Sequence, residues 1–162
     1  MAVAIRKMTS EEFEMFYSWS VDHHAKELME ECRLTYEAAI METKAEVAQM
    51  LPDGLDTAHN YLMTIENTDD REILGFIWTL HEMTEGKKQS FLCDFVILEA
   101  KRRQGYAAAA LALMEKDAIA TGCQESVLFV ADNNLAASTL YKKSGYQVLR
   151  KKDYGQFMRK QL

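Results

Sequence analysis

One junction constrains this chain more than any other. A nearly continuous apolar run, Ser90 to Glu99, breaks into Lys101-Arg102-Arg103-Gln104-Gly105-Tyr106-Ala107, and a long helical pattern then runs to about Thr121, where Gly122 stops it. A run holding Phe91, Leu92, Phe95, Val96, Ile97 and Leu98 reads as a central strand covered on both faces. The first turn of the helix after it leaves backbone N–H groups without partners, and its dipole favours an anion. Gly105 has no Cβ, Ala107 is nearly as small, and three cations flank the spot. The pattern reads as a pyrophosphate cradle. It is neither GxxxxGK[ST] nor GxGxxG. The plain alternative is a turn with solvated arginines and a glycine that only breaks the strand.

The other elements arrange themselves around this junction. Val3 to Met8 reads as a strand, and Thr9 with Glu12 as a capping box for a helix to about residue 30. A second helix runs from Thr35 or Tyr36 to Met50, and Pro52 and Gly54 end it. Strands follow at Tyr61–Ile65, Ile73–Leu80 and Ser90–Glu99, with Gly75 a bulge candidate and a turn at Glu85-Gly86. After the junction helix come a strand at Ser126–Val130, a helix capped by Asp132 to Asn134 and stopped by Gly145, and two closing strands around Asp153-Tyr154-Gly155. The expected fold is α/β: a mixed, mostly antiparallel sheet of about seven strands with helices on both faces, formed by residues 1–162 as one domain.

Composition narrows the partners. A net charge of -6 argues against a protein that grips nucleic acid through its phosphates and favours small cationic partners. Acidic residues crowd the first two helices, from Glu11 to Glu46, where they would draw in an ammonium group. Cys32, Cys93 and Cys123 form neither a CxxC nor a Cys/His cluster, so reduced thiols in the cytoplasm and no metal are expected. No run reaches the ~18 apolar residues of a membrane helix, and the start lacks a leader pattern. A homodimer is compatible with the chain, since C2 association is common.

Arg102-x-x-Gly105-x-Ala107 after an apolar strand resembles the acetyl-CoA-binding motif R/Q-x-x-G-x-G/A of the GNAT N-acetyltransferases. Asn134-x-x-Ala137-x-x-Leu140-Tyr141-x-x-x-Gly145-Tyr146 is similar to the family's next block. The order of elements also fits along essentially the whole chain, and the resemblance points to a little-studied bacterial branch of small GNAT enzymes. Ala100 departs from the proline many members place before the arginine, and it removes no donor.

The resemblance implies an N-acetyltransferase that moves the acetyl group of acetyl-CoA to a primary amine of a small molecule or peptide, by direct attack in a ternary complex. It implies that backbone N–H groups of Arg103, Gln104, Gly105, Tyr106 and Ala107 wrap the pyrophosphate. The pantetheine arm would lie along Val96, Ile97 and Leu98, with an N–H near Leu98 polarising the thioester carbonyl. A non-catalytic acetyl-CoA sensor or regulatory module would use the same cradle.

Tyr141 stands where many GNAT enzymes keep a proton donor; a phenol of pKa ~10 can protonate a thiolate of pKa ~8.5. Its alternative is a core tyrosine. Asn134 caps the last helix and is also placed to bond the pantetheine. Asp94, a carboxylate inside an apolar run, suits a base acting through water; Glu82 and His81 are alternatives, as is a structural pairing with an arginine. His23-His24 reads as solvent-exposed, and Cys93 as an acyl carrier lacks a histidine partner.

Overall fold

The computed structural model describes all 162 residues, Met1 to Leu162. They form two compact units, Met8–Asn60 and the combination of Met1–Lys7 with Tyr61–Leu162.

The first is a helix pair, α1 (Ser10–Cys32) and α2 (Tyr36–Met50). The capping box is in place: Glu12 N donates to Thr9 Oγ1 at 3.2 Å, and Thr9 N donates to Glu12 Oε1 at 2.8 Å. Arg33, left-handed at φ 54°, ends α1, and Thr35 caps α2 by accepting from Ala38 N at 3.2 Å. Phe16, Val21, Ala25, Ala39 and Val47 are buried, and the Tyr36 hydroxyl ties the helices by donating to Asp22 at 2.5 Å. His23 is exposed and His24 half-exposed, and both meet Glu27 at 3.2 Å; these hydrogen bonds draw the Glu27 carboxyl down to about 2.

The second unit is one seven-stranded sheet in the order β1-β2-β3-β4-β5-β7-β6. Its strands are β1 (Val3–Lys7), β2 (Asn60–Asn67), β3 (Ile73–Thr84), β4 (Lys87–Ile97), β5 (Glu125–Ala131), β6 (Gln147–Lys152) and β7 (Gly155–Gln161), with α3 (Tyr106–Ala120) and α4 (Leu135–Lys143) between them. β4 and β5 run parallel, joined through α3; β1–β2, β3–β4, β5–β7 and β6–β7 are antiparallel. A mixed α/β sheet is thus confirmed. β3 and β4 extend beyond the sequence expectation to a tight hairpin at Glu85-Gly86, both with positive φ, as a two-residue turn that follows strand twist requires.

The core joins Ile65, Leu74, Ile77 and Leu92 to Ala110, Leu111 and Met114 of α3 and to Tyr141 and Tyr146. Burial at ~25 cal/mol per Å² of apolar surface makes this cluster the unit's main source of stability.

Two sequence expectations need correction. Gly75 is not a bulge: it pairs in register with Ile97, and a Cβ there would strike Val96 O, so close strand approach is what demands glycine. The bulge is in β4. Trp78 faces Asp94 but Thr79 faces Leu92, so Cys93 is the extra residue. Nor is β4 covered throughout, since Phe91, Cys93 and Phe95 stay partly exposed, and it ends at Ile97, short of the expected Glu99.

Candidate active site

β4 and β5 pair only from Gln89–Glu125 to Leu92–Leu128. Beyond that, β4 continues with β3 as far as Ile97, while β5 continues with β7 as far as Ala131. The parallel pair therefore opens into a gap, and the opening begins at the Cys93 bulge. Leu98 N donates to Leu74 O at 2.9 Å, so the antiparallel alternation turns the backbone of Val96 and Leu98 toward β3 and that of Phe95 and Ile97 toward the gap. Ile97 O confirms the direction by accepting from Arg102 Nε at 3.0 Å. Leu98 N–H is thus already spent, and among the donors near Leu98 it is Ile97 N–H that faces the opening.

The turn above the gap holds Gly105 at φ 83° and Arg103 at φ 61°, both left-handed. Gly105 is the N-cap of α3 and supplies no side-chain bond. Ala109 N is the first to bond back, to Gly105 O at 3.2 Å, so the N–H groups from Arg103 through Gln104, Gly105, Tyr106 and Ala107 to Ala108 have no acceptor. The other α-helices all have side-chain caps: Thr9, Thr35 and Asn134. Of the three flanking cations, Lys101 is drawn to Glu72 at 2.6 Å and Arg102 is tethered to Ile97, which leaves Arg103 at the cradle.

Asn134 Oδ1 accepts from Ala137 N at 3.2 Å, so capping is its observed role. Gly145, left-handed at φ 98°, ends α4 and folds Tyr146 back so that its N–H reaches Tyr141 O at 2.9 Å. The two rings meet edge-to-face at 5.7 Å, and the Tyr146 hydroxyl donates to Ser126 Oγ at 2.7 Å. Tyr146 thus braces Tyr141, a role the sequence did not reveal. Burial, helped by the negative charge of Asp94, pushes the Tyr141 hydroxyl well above the ordinary phenol range.

The bulge decides where Asp94 points. Trp78 and Leu80 lie on one face of β3; their partners Asp94 and Phe91 share that face although they stand three positions apart. Without the extra residue Asp94 would face the α3 side. Asp94 is buried at 7% exposure. Glu82 shares its face lower down and takes a bond from Gln89 at 3.4 Å. His81 lies on the opposite face, in a cleft of about 200 Å³ at the far end of α3, against Tyr61 and Thr121. Cys93 is a half-buried thiol held far above its usual range by desolvation, then by the charges of Asp94 and Glu82, which makes it a poor acyl carrier.

Comparison with known proteins places this geometry. The model of the acetyltransferase (GNAT) family matches residues 13–146. The N-acetyltransferase YdgE of Bacillus subtilis is 32% identical over 162 residues, 100% of this chain and 99% of that one. The N-acetyltransferase YycN of the same organism is 29% identical over 147 residues, 91% and 94% of the two chains. The crystal structure of YycN superposes with a TM-score of 0.82 over 93% of this chain and 98% of that chain. The PaiA N-acetyltransferase of Thermoplasma acidophilum, solved with coenzyme A, shares the fold at 18% identity and a TM-score of 0.73, with each chain covered in full (100%). The chain belongs to the GNAT family of acetyltransferases.

Proposed function

We propose that this protein transfers the acetyl group of acetyl-CoA to a primary amine by direct attack in a ternary complex. The observation that carries the reading is the bare first turn of α3, which sets unpaired N–H groups from Arg103 to Ala108 at the mouth of the β4–β5 gap. Unpaired N–H groups at a helix start, beside an arginine, fit a diphosphate. The gap edge, with Phe95 and Ile97 backbone groups free of β3, fits an amide-bearing arm that bonds as an extra strand would.

When bound, the coenzyme supplies the activated acetyl group. The chain does the rest. Ile97 N–H stabilises negative charge as it develops on the carbonyl oxygen. Asp94 takes a proton from the acceptor ammonium through water. The amine nitrogen bonds to the acetyl carbon as the carbon–sulfur bond breaks, and Tyr141 gives its proton to the departing sulfur. The nitrogen sheds its second proton to solvent as the amide forms, and the proton held by Asp94 returns through water to Tyr141, so one proton is released and the chain ends unchanged. Burial makes the phenol a weaker acid, but the same desolvation raises the thiol that receives the proton, so the balance between them is largely kept.

The test follows free-thiol release from acetyl-CoA across an amine panel, with coenzyme binding read from the melting temperature. Wild type should bind and turn over. Gly105→Val puts a β-branched residue at φ 83° and should lose binding; undiminished binding would remove the cradle from the argument. Binding with no thiol release from any amine would mark a non-catalytic acetyl-CoA module.

A further inference from the structure

The face that carries Asp94 continues sideways into a shelf of rings. Phe91 pairs with Val127, two residues before Phe129, and Phe129 pairs with Phe157, so all four share the Asp94 face. The Phe129 and Phe157 rings meet at 5.1 Å, Phe91 and Phe157 at 6.5 Å, and Tyr154 closes edge-on against Phe129 at 5.8 Å. Phe91, Phe129 and Phe157 remain partly exposed, and Tyr154 is 51% exposed. Partly open phenyl rings in one row, starting at the gap, cover two strand spacings, roughly 10 Å.

The charges around the shelf are uneven. Its outer edge is cationic: the Arg150 guanidinium lies 4.7 Å from the Phe157 ring centroid, with Lys151 and Lys152 next on the exposed edge strand β6. The place where a second ammonium would gain cation–π attraction is thus already filled, and a new cation there meets like charge. Toward the base of the face Glu125 lies 3.9 Å from Arg159, and Glu82 accepts from Gln89 at 3.4 Å.

We propose that the acceptor is a primary amine with a single positive charge and an aromatic body, an arylalkylamine. Its nitrogen sits at Asp94 and its ring stacks on Phe129 and Phe157. This rests on the acetyltransferase reading above and adds the acceptor class. It departs from the expectation drawn from net charge, since a polyamine would carry its second cation toward Arg150.

The experiment uses the full chain, acetyl-CoA, and phenethylamine, hexylamine and spermidine as acceptors. Phenethylamine should have a kcat/KM about tenfold or more above spermidine. Phe157→Leu, which keeps apolar volume, should lower that value severalfold through KM while coenzyme affinity holds. Arg150→Glu, at an exposed site, should raise the value for spermidine by about tenfold. Preference for spermidine, or a phenethylamine KM unmoved by Phe157→Leu, would overturn the proposal and leave acetyl transfer standing. If no amine is turned over, acetyl transfer fails instead. The shelf is then judged by NMR titration of phenethylamine: binding weakened by Phe157→Leu supports it, and equal or absent binding ends it.

Discussion

At the scale of single residues, the proposed mechanism divides the proton work between Tyr141 and Asp94. Tyr141 belongs to the core cluster with α3, and Asp94 lies on the other face. Tyr141→Phe keeps the packing and removes the donor. It should lower kcat by about 10²-fold or more and leave coenzyme affinity unchanged, as single-turnover acetyl transfer would show. The raised phenol adds a pH signature. Its neutral form is favoured in the fold, so the stability it contributes is whole below pH ~10 and fades as pH climbs beyond, where only the unfolded phenol ionises. Melting temperatures across that range should fall less steeply in Tyr141→Phe than in wild type. Tyr141 and Asp94 were readable in the sequence as chemical types and by the blocks that hold them. The direction of Asp94 was not. Inside an apolar run, parity is invisible, and only pairing reveals that Cys93 is the odd residue.

At the scale of elements, the punctuation was legible. The Thr9–Glu12 box and Asn134 cap as expected, Thr35 caps the helix whose start was placed at Thr35 or Tyr36, and Gly122 and Gly145 both stand at helix ends with positive φ. These are local signals that need no partner strand. Ile97 as the gap-facing donor and the shelf of Phe129 with Phe157 depend on which strands meet, and β4–β5–β7 adjacency is not written in any single segment. Asn134 offers a clean division of roles. Asn134→Ala should cost about 1 kcal/mol of stability by losing the bond to Ala137 N, and Asn134→Ser should restore it. Coenzyme affinity in the Ser variant decides the rest: unchanged affinity leaves Asn134 a cap alone, whereas a loss of tenfold gives its amide a second task.

For the whole molecule, the net charge of -6 conceals a division. The helical unit holds twelve acidic and three basic residues; the sheet unit holds thirteen acidic and sixteen basic. A uniformly acidic protein would repel an anionic coenzyme and bind it better as salt screens the repulsion. Here the unit with the cradle is net positive, so the dissociation constant of acetyl-CoA should rise with salt, severalfold between 50 and 500 mM, in titration calorimetry. The division into strands has a mechanical side as well. Four ladder positions, Gln89 to Leu92, with the bond from Gln124 N to Lys88 O at 2.8 Å at their foot, join one leaf of the sheet, β1 to β4, to the other, β5 to β7. Such a seam is the natural place for the sheet to breathe. Native-state hydrogen exchange should find the amides of Phe95 and Ile97 among the fastest of the core strands, and saturating coenzyme should slow them by zipping the open edge with a ladder that the protein itself does not supply.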